Sequence, residues 1–324
     1  MKRNIRIDLL RGICMFYIVG IFHLSQYLGD KYYLNNNEYG NSIMWSCLGT
    51  FSLISGYLIG RKYNCKSWED VRFFYKKRVA RFYPLFFLSA VLLYSIGFNN
   101  LWQTINSLLG LAPFLKPRPL TLWYISMIMV FYFISPIVLN GERVKRSMTI
   151  FMGFVVLSHF VTIDFRFIFN LFFYLTGLCI SSLCTIVSYI NKKVSLMAGG
   201  GRFLIAICLV AIYVIMLILL RYYNNIGPYR MLTNTMGVFC MILFVYMQKS
   251  LLKHEKLICF LAYTSMSCYL FHRFVYWAVL SFFKPKETIF LTIYMYMVAV
   301  PVCFVFSYFI QKIYDRFICK ILSK

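Results

Sequence analysis

Charge is what this chain has least of. Charged residues make up 14 % of its 324 residues, and only ten of them are Asp or Glu. No polar stretch is long enough to form a soluble domain; the longest runs over about 61–81. With 61 % hydrophobic residues and a mean hydropathy of +0.70, the composition excludes a soluble globular protein and points to a polytopic membrane protein. A Cys-x-x-Cys pair is also missing. The eleven cysteines sit mostly inside apolar runs, as Cys14, Cys179, Cys208, Cys240 and Cys303 do. That pattern reads as packing, without a disulfide framework or a metal site. There is no internal repeat, low-complexity tract or interdomain linker, so a single integral membrane domain over 1–324 is expected. The first apolar run is too long for a cleaved signal peptide, contains Arg11, and is followed by no small-residue cleavage site.

What the sequence does have is apolar runs of membrane-spanning length, about 20 residues. Ten are expected: 8–28, 42–60, 82–98, 121–140, 148–163, 167–189, 203–220, 231–248, 264–283 and 288–310. The net charge of +24 would suggest nucleic acid in a soluble protein. Here Lys and Arg fall in alternate loops, 24 on one side and 8 on the other, which is a positive-inside signal and argues against a nucleic-acid partner. The expected fold is therefore all-α, a membrane helical bundle of about ten spans with both termini cytoplasmic. The basic segment 61–81 contains Trp68, Phe74 and Tyr75 and is expected as an interfacial helix. It serves either anionic lipid or a polyanionic cofactor.

The first span, LLRGICMFYIVGIFHLSQYL, holds two ionisable residues, Arg11 and His23. Such groups are costly in a bilayer, about 2.5–3.5 kcal/mol on insertion scales for a charge, and are functional candidates by default. Asp8 lies three residues from Arg11, close enough for a plain ion pair. His23 lies twelve residues beyond Arg11, roughly 18 Å along a helix axis. Histidine suits a general base because its ordinary pKa is near 6.5. His272 and Arg273 are adjacent inside another apolar run and are expected to face away from lipid.

DLLRGICMFYIVGIFH (8–23) resembles the opening of the acyltransferase-3 family of membrane O-acyltransferases, which begins with Asp-x-x-Arg-Gly and reaches an intramembrane histidine. FSLISGYLIG (51–60), RVARFYPLF (78–86), LWYISMIMVFYFISPIV (122–138) and TSMSCYLFHRF (264–274) resemble further family elements in the same order. The resemblance covers most of the chain. It implies acetyl transfer from acetyl-CoA, as acyl donor and co-substrate, to a hydroxyl of a surface or lipid-linked glycan, in a bacterial inner membrane and without a metal. His23 would be the general base. Arg11, Arg78 and Arg81, with Lys76 and Lys77 nearby, would hold the donor, guanidinium being suited to phosphate oxygens. Trp123, Tyr124, His272 and Arg273 would meet the acceptor.

Two departures stand out. Eleven residues separate Arg11 from His23, where the family pattern has ten. On a regular α-helix that extra residue leaves the two side chains about 120° apart, where the family spacing leaves about 20°. A π-bulge near Gly20 is the expected remedy. The chain also has Ile128, Met129 and Val130 where many members carry glutamates.

Plainer roles compete at several positions. Arg78 and Arg81 suit lipid headgroups, Trp123 and Tyr124 suit an aromatic belt, and Ser55 and Gly56 suit close helix packing. His159 and His254 read as structural or surface residues, Asp164 and Arg166 as a loop pair. Gly199–Gly201 reads as a loop without phosphate-binding context. The alternative to an enzyme is a non-enzymatic transporter of a glycan or lipid-linked sugar.

Overall fold

A computed structural model describes residues 3–322 apart from 30, 31, 33, 35, 36, 162, 182–198, 224–226 and 248–250. Every regular element described is helical. The chain runs through α1 (Ile5–Met15), α2 (Glu38–Lys62), α3 (Trp68–Ser95), α4 (Leu101–Leu108), α5 (Leu122–Leu139), α6 (Arg143–Phe160) and α7 (Phe165–Ile180). It continues through α8 (Gly199–Tyr223), α9 (Gly227–Met247), α10 (Glu255–Phe282), α11 (Thr288–Tyr294) and α12 (Val300–Leu322). A π segment, Phe16–His23, and a short 3-10 turn, Leu24–Tyr27, extend α1. A second π segment, Met295–Ala299, joins α11 to α12.

Five helices among the described residues are long and apolar enough to cross a membrane: Ile5–Tyr27, Glu38–Lys62, Leu122–Leu139, Gly227–Tyr246 and Thr288–Phe317. That makes a multi-pass membrane protein, and it corrects the expectation of about ten spans. Apolar runs that looked like spans turn out to be parts of helices that fall short. In α3 the basic residues through Arg81 fill the first half, leaving 82–95, roughly 21 Å of helix, against a hydrocarbon core of about 30 Å. In α6, Arg143, Lys145 and Arg146 occupy the first turn, and the helix stops at Phe160. Helix α7 ends at Ile180, and residues 182–189 of the expected 167–189 span lie outside the described residues. In α8 the apolar helix among the described residues is Ile207–Leu220. Ser265, Ser267, His272 and Arg273 dilute the hydropathy of α10.

Two local expectations also change. Residues 61–81 form no separate interfacial helix. The Ser67 hydroxyl accepts from the Asp70 N–H at 3.1 Å and the Asp70 carboxylate accepts from the Ser67 N–H at 3.0 Å, a capping box that starts α3 at Trp68. The Ser67 backbone bond also holds the Asp70 carboxyl below its ordinary range. Helix α3 then runs through Pro84. A proline leaves the carbonyl four residues earlier without a donor, and the Tyr314 hydroxyl on α12 donates to that carbonyl, Ala80. The glycines at 199–201 open α8 and are no loop.

Helix packing fixes the core. Helix α2 packs along α7, α1 along α10, and α10 along α12. The α2–α7 seam is backbone-close: a Cβ on Gly56 would stand 2.0 Å from the Tyr174 carbonyl oxygen, and one on Gly177 would stand 2.2 Å from that of Leu53. Small residues allow such approach between helices in a bilayer. Many large apolar side chains, such as Phe133, Phe160, Phe282 and Met297, face outward where lipid would lie.

The expected π turn is present, and it spans eight residues, Phe16–His23. Each step of an i→i+5 helix turns by less than the 100° of an α-helix. A deficit of about 15° over eight steps removes the excess of about 120° between Arg11 and His23.

Candidate functional site

A cavity of about 520 Å³ lies between α1, α2, α3, α5, α10 and α12. One end is cationic, with Arg3, Lys62, Arg78 and Arg81 in its wall. Asp8 is also there, but it pairs with Arg3 rather than with Arg11. The Arg11 guanidinium instead turns to α10, donating from Nη2 to the Ser265 hydroxyl at 2.8 Å, and lines the cavity. Arg78 is steadied by aromatic faces, its guanidinium carbon 5.0 Å from the Tyr63 ring centroid, 5.9 Å from Phe74 and 5.7 Å from Tyr132. Its Nε is buried without a hydrogen-bond partner. Lys76 and Lys77 are not in the wall; the Lys77 ammonium lies 4.1 Å from the Phe73 ring centroid. Ile54, Ile125 and Ile128 make the middle of the wall apolar.

Tyr124 and Tyr269 line the far end, their ring centroids 5.6 Å apart. The Tyr124 hydroxyl donates to the Leu48 carbonyl at 3.1 Å, and the Tyr269 hydroxyl to the Thr121 carbonyl at 3.1 Å. Behind Tyr269 lie two histidines, His23 at 6.4 Å and His272 at 6.0 Å between ring centroids. The wall of the cavity does not include His23, which sits one ring beyond it.

The two imidazoles stack, with centroids 4.8 Å apart and planes 3° from parallel. His272 is fully buried, and its Nδ1 lies 2.8 Å from the Tyr269 carbonyl and 3.3 Å from that of Cys268. Carbonyls only accept, so Nδ1 carries the proton and Nε2 keeps a bare lone pair. That Nε2 has no partner, and neither has the buried Nδ1 of His23. Each ring thus offers one open nitrogen.

Next to His272, Arg273 is 4 % exposed. Its Nε donates to the Thr121 hydroxyl and its Nη1 to the Gln26 side-chain carbonyl at 2.8 Å. Consecutive residues of α10 therefore meet residues three apart on the first helix: His272 meets His23, and Arg273 meets Gln26. Thr121 holds φ at 65°, a left-handed conformation that is unusual for a β-branched residue. Such strain persists where surrounding contacts enforce it, here those from Tyr269 and Arg273.

A protein-family model described as an acyltransferase domain matches residues 4–311, nearly the whole chain. The chain belongs to the acyltransferase-3 family. No curated protein and no solved structure matches it. Acyltransferase-3 proteins are acyl-transferring enzymes that draw on acyl-CoA donors. The residues around the cavity fit such a donor: cations, one with an unpartnered Nε, suit phosphates, and apolar walls suit an acylated arm.

The structure gathers Arg11, Arg78, Arg81 and Tyr124 around the cavity, and His23, His272 and Arg273 behind its far end. Trp123 lies beside them, against Trp45 at 5.5 Å and Tyr124 at 5.8 Å. Tyr124 is no belt residue, being buried and hydrogen-bonded within the bundle. His159 and His254 are exposed and apart from the site. Asp164 pairs with Arg118 at 2.9 Å as well as with Arg166. Ile128 lines an apolar wall, and the carboxylates facing the cavity are Asp8 and Asp315. Sequence reasoning missed Tyr269, Thr121 and Gln26. Tyr269 had a signal, being three residues before His272 and so on the same helix face. The left-handed Thr121 had none.

Proposed function

We propose that this acyltransferase-3 protein is a membrane O-acyltransferase moving an acetyl group from cytoplasmic acetyl-CoA to a hydroxyl of a cell-surface or lipid-linked glycan, in a bacterial inner membrane. Arg78, Arg81 and Arg11 hold the phosphates and arm of the donor. His23 takes the proton of the acceptor hydroxyl as its oxygen attacks the thioester carbon. Trp123, Tyr124, His272 and Arg273 meet the acceptor. The observation that supports this reading best is the pair of imidazoles with open nitrogens, one ring behind a cavity that begins in cations and continues between apolar walls.

A positioned general base contributes about 10²–10⁴-fold. His23→Ala should therefore lower transfer of labelled acetyl from acetyl-CoA to the native glycan by at least about a hundredfold, measured with purified protein in detergent or nanodiscs. Wild-type transfer by His23→Ala would defeat the assignment. A wild-type protein that carries the glycan across vesicles without acetylating it would favour a transporter.

A further inference from the structure

Arg273 is the one arginine among the described residues that belongs to the buried core. It has no carboxylate partner: Thr121 and Gln26 accept from it, and the buried Tyr27 hydroxyl lies beside it. The ion pairs of Arg3 with Asp8 and of Arg118 and Arg166 with Asp164 do not involve it. Burying a cation without a counter-charge is unfavourable, and the usual remedy is a paired anion. Neutral acceptors aim this guanidinium without neutralising it. It stands next to the stacked His23 and His272, where the acyl-transfer reading puts the reacting carbonyl.

We propose that Arg273 is a catalytic residue that stabilises the oxyanion formed during acyl transfer; this rests on the acyl-transfer reading and assigns the charge-stabilising group within it. The acceptor oxygen forms a bond to the thioester carbonyl carbon, and the acceptor proton moves to an open nitrogen of His23. The carbonyl π pair becomes a lone pair on oxygen, and the resulting negative charge meets the Arg273 N–H groups. As the oxyanion collapses, the C–S bond breaks, and the thiolate of CoA takes the proton from the imidazolium. The guanidinium then has its anion only at the point of highest charge, which is where a fixed donor accelerates a reaction most. Thr121 and Gln26 keep it oriented, so little reorganisation is needed when the charge forms. The strained backbone of Thr121 belongs to the same arrangement, because its hydroxyl accepts from Arg273 and its carbonyl from Tyr269.

Arg273→Met and Arg273→Lys test this in the full-length protein, by acetyl transfer and thermal unfolding. Arg273→Met should lower kcat by about 10²–10³-fold, as loss of an oxyanion donor does. Its KM for acetyl-CoA should stay within about threefold of wild type, since uniform binding is not what is lost. Its Tm should be unchanged or higher, because an uncompensated buried charge has been removed. Arg273→Lys, which keeps the charge, should recover part of kcat. An Arg273→Met variant that fails to fold or melts lower assigns the residue to the architecture and overturns the proposal. So does wild-type kcat with only a raised acceptor KM. Failure of the wild-type protein itself to move acetyl would instead defeat the acyl-transfer reading.

Discussion

His23 and His272 lie face to face, 4.8 Å between ring centroids and 3° from parallel, although 249 positions separate them in sequence. The stack joins the first helix to α10 at the depth where both carry ionisable groups. It also makes the two rings chemically unequal. His272 has its proton fixed on Nδ1 by the Tyr269 carbonyl, whereas His23 has no such tie. A ring locked in one tautomer can steer its neighbour or a hydroxyl through its bare Nε2. His272→Phe keeps a flat ring in the stack and removes that nitrogen. Turnover should fall by about tenfold or more with Tm little changed, a loss within the range of positioned acid–base groups. Turnover unchanged in His272→Phe would assign the ring to packing alone.

Much of this candidate site is legible in the sequence. Arg11, His23, His272 and Arg273 announce themselves because ionisable groups are rare in apolar runs. The eleven-residue gap between Arg11 and His23 announces a π turn, because the alternative leaves them on different faces. The number of spans was not legible. Apolar runs such as 82–98 and 148–163 look like spans in a hydropathy reading, but a helix starts where its cap lies. Ser67 starts α3, and Arg143 follows the residue before α6, both well upstream of the apolar parts. Basic residues then occupy helix that a count of apolar residues had assigned to loops. Thr121 was illegible for another reason: its left-handed backbone is imposed by α10, distant in sequence.

Arg78 and Arg81 line the same cavity three residues apart on α3, and Arg78 is held by three aromatic rings. A guanidinium immobilised in this way loses little entropy on meeting a phosphate. Arg78→Ala with Arg81→Ala should raise the KM for acetyl-CoA by about tenfold or more, and leave kcat at saturating donor within a fewfold of wild type, the pattern for lost uniform binding. Unchanged donor kinetics would mean that these arginines serve lipid headgroups.

The π segment Phe16–His23 accommodates one residue more than the family pattern, and both of its flanks have fixed partners: Arg11 at Ser265, and Gln26 at Arg273. Deleting Gly20 should convert the segment to α-helix while keeping those contacts, because π turns arise from single insertions within helices. The expected result is activity within a fewfold of wild type. Adding a residue beside Gly20 should abolish transfer, since His23 would leave its stack with His272. Equal damage from deletion and insertion would mean that the π geometry itself, beyond its register, is required.

Gly56 meets the Tyr174 carbonyl oxygen so closely that an added Cβ would stand 2.0 Å away. The contact is backbone on both sides, so no side chain can swing aside. Gly56→Ala should force α2 from α7 and lower stability by about 1–3 kcal/mol, the range for overpacking a core. Because Ser55 and Leu58 on the same helix line the cavity, donor binding should weaken along with Tm. Gly153 has nothing within 4 Å of a built Cβ, and its alanine variant is the matched control, expected to melt like wild type.

Tyr269 stands between the cavity and the histidine pair. Its ring belongs to the cavity wall, yet lies 6.4 Å from the His23 centroid and 6.0 Å from that of His272. On the acyl-transfer reading, a thioester advanced along the cavity would stop at this ring, one ring short of the proposed base. The ring is held by the hydroxyl bond to the Thr121 carbonyl and by its contact with Tyr124. On that reading a barrier of this kind would keep water and base from the thioester and suppress hydrolysis, as closing residues do in other sites. Tyr269→Ala removes the ring and joins the two compartments. Hydrolysis of acetyl-CoA without acceptor should then rise by about tenfold over wild type, while productive transfer per donor consumed falls. Tyr269→Phe keeps the ring and loses only the hydroxyl bond, so its leak should be smaller than that of the alanine variant. A leak in Tyr269→Ala no larger than in wild type would mean that the acyl group reaches His23 by another route.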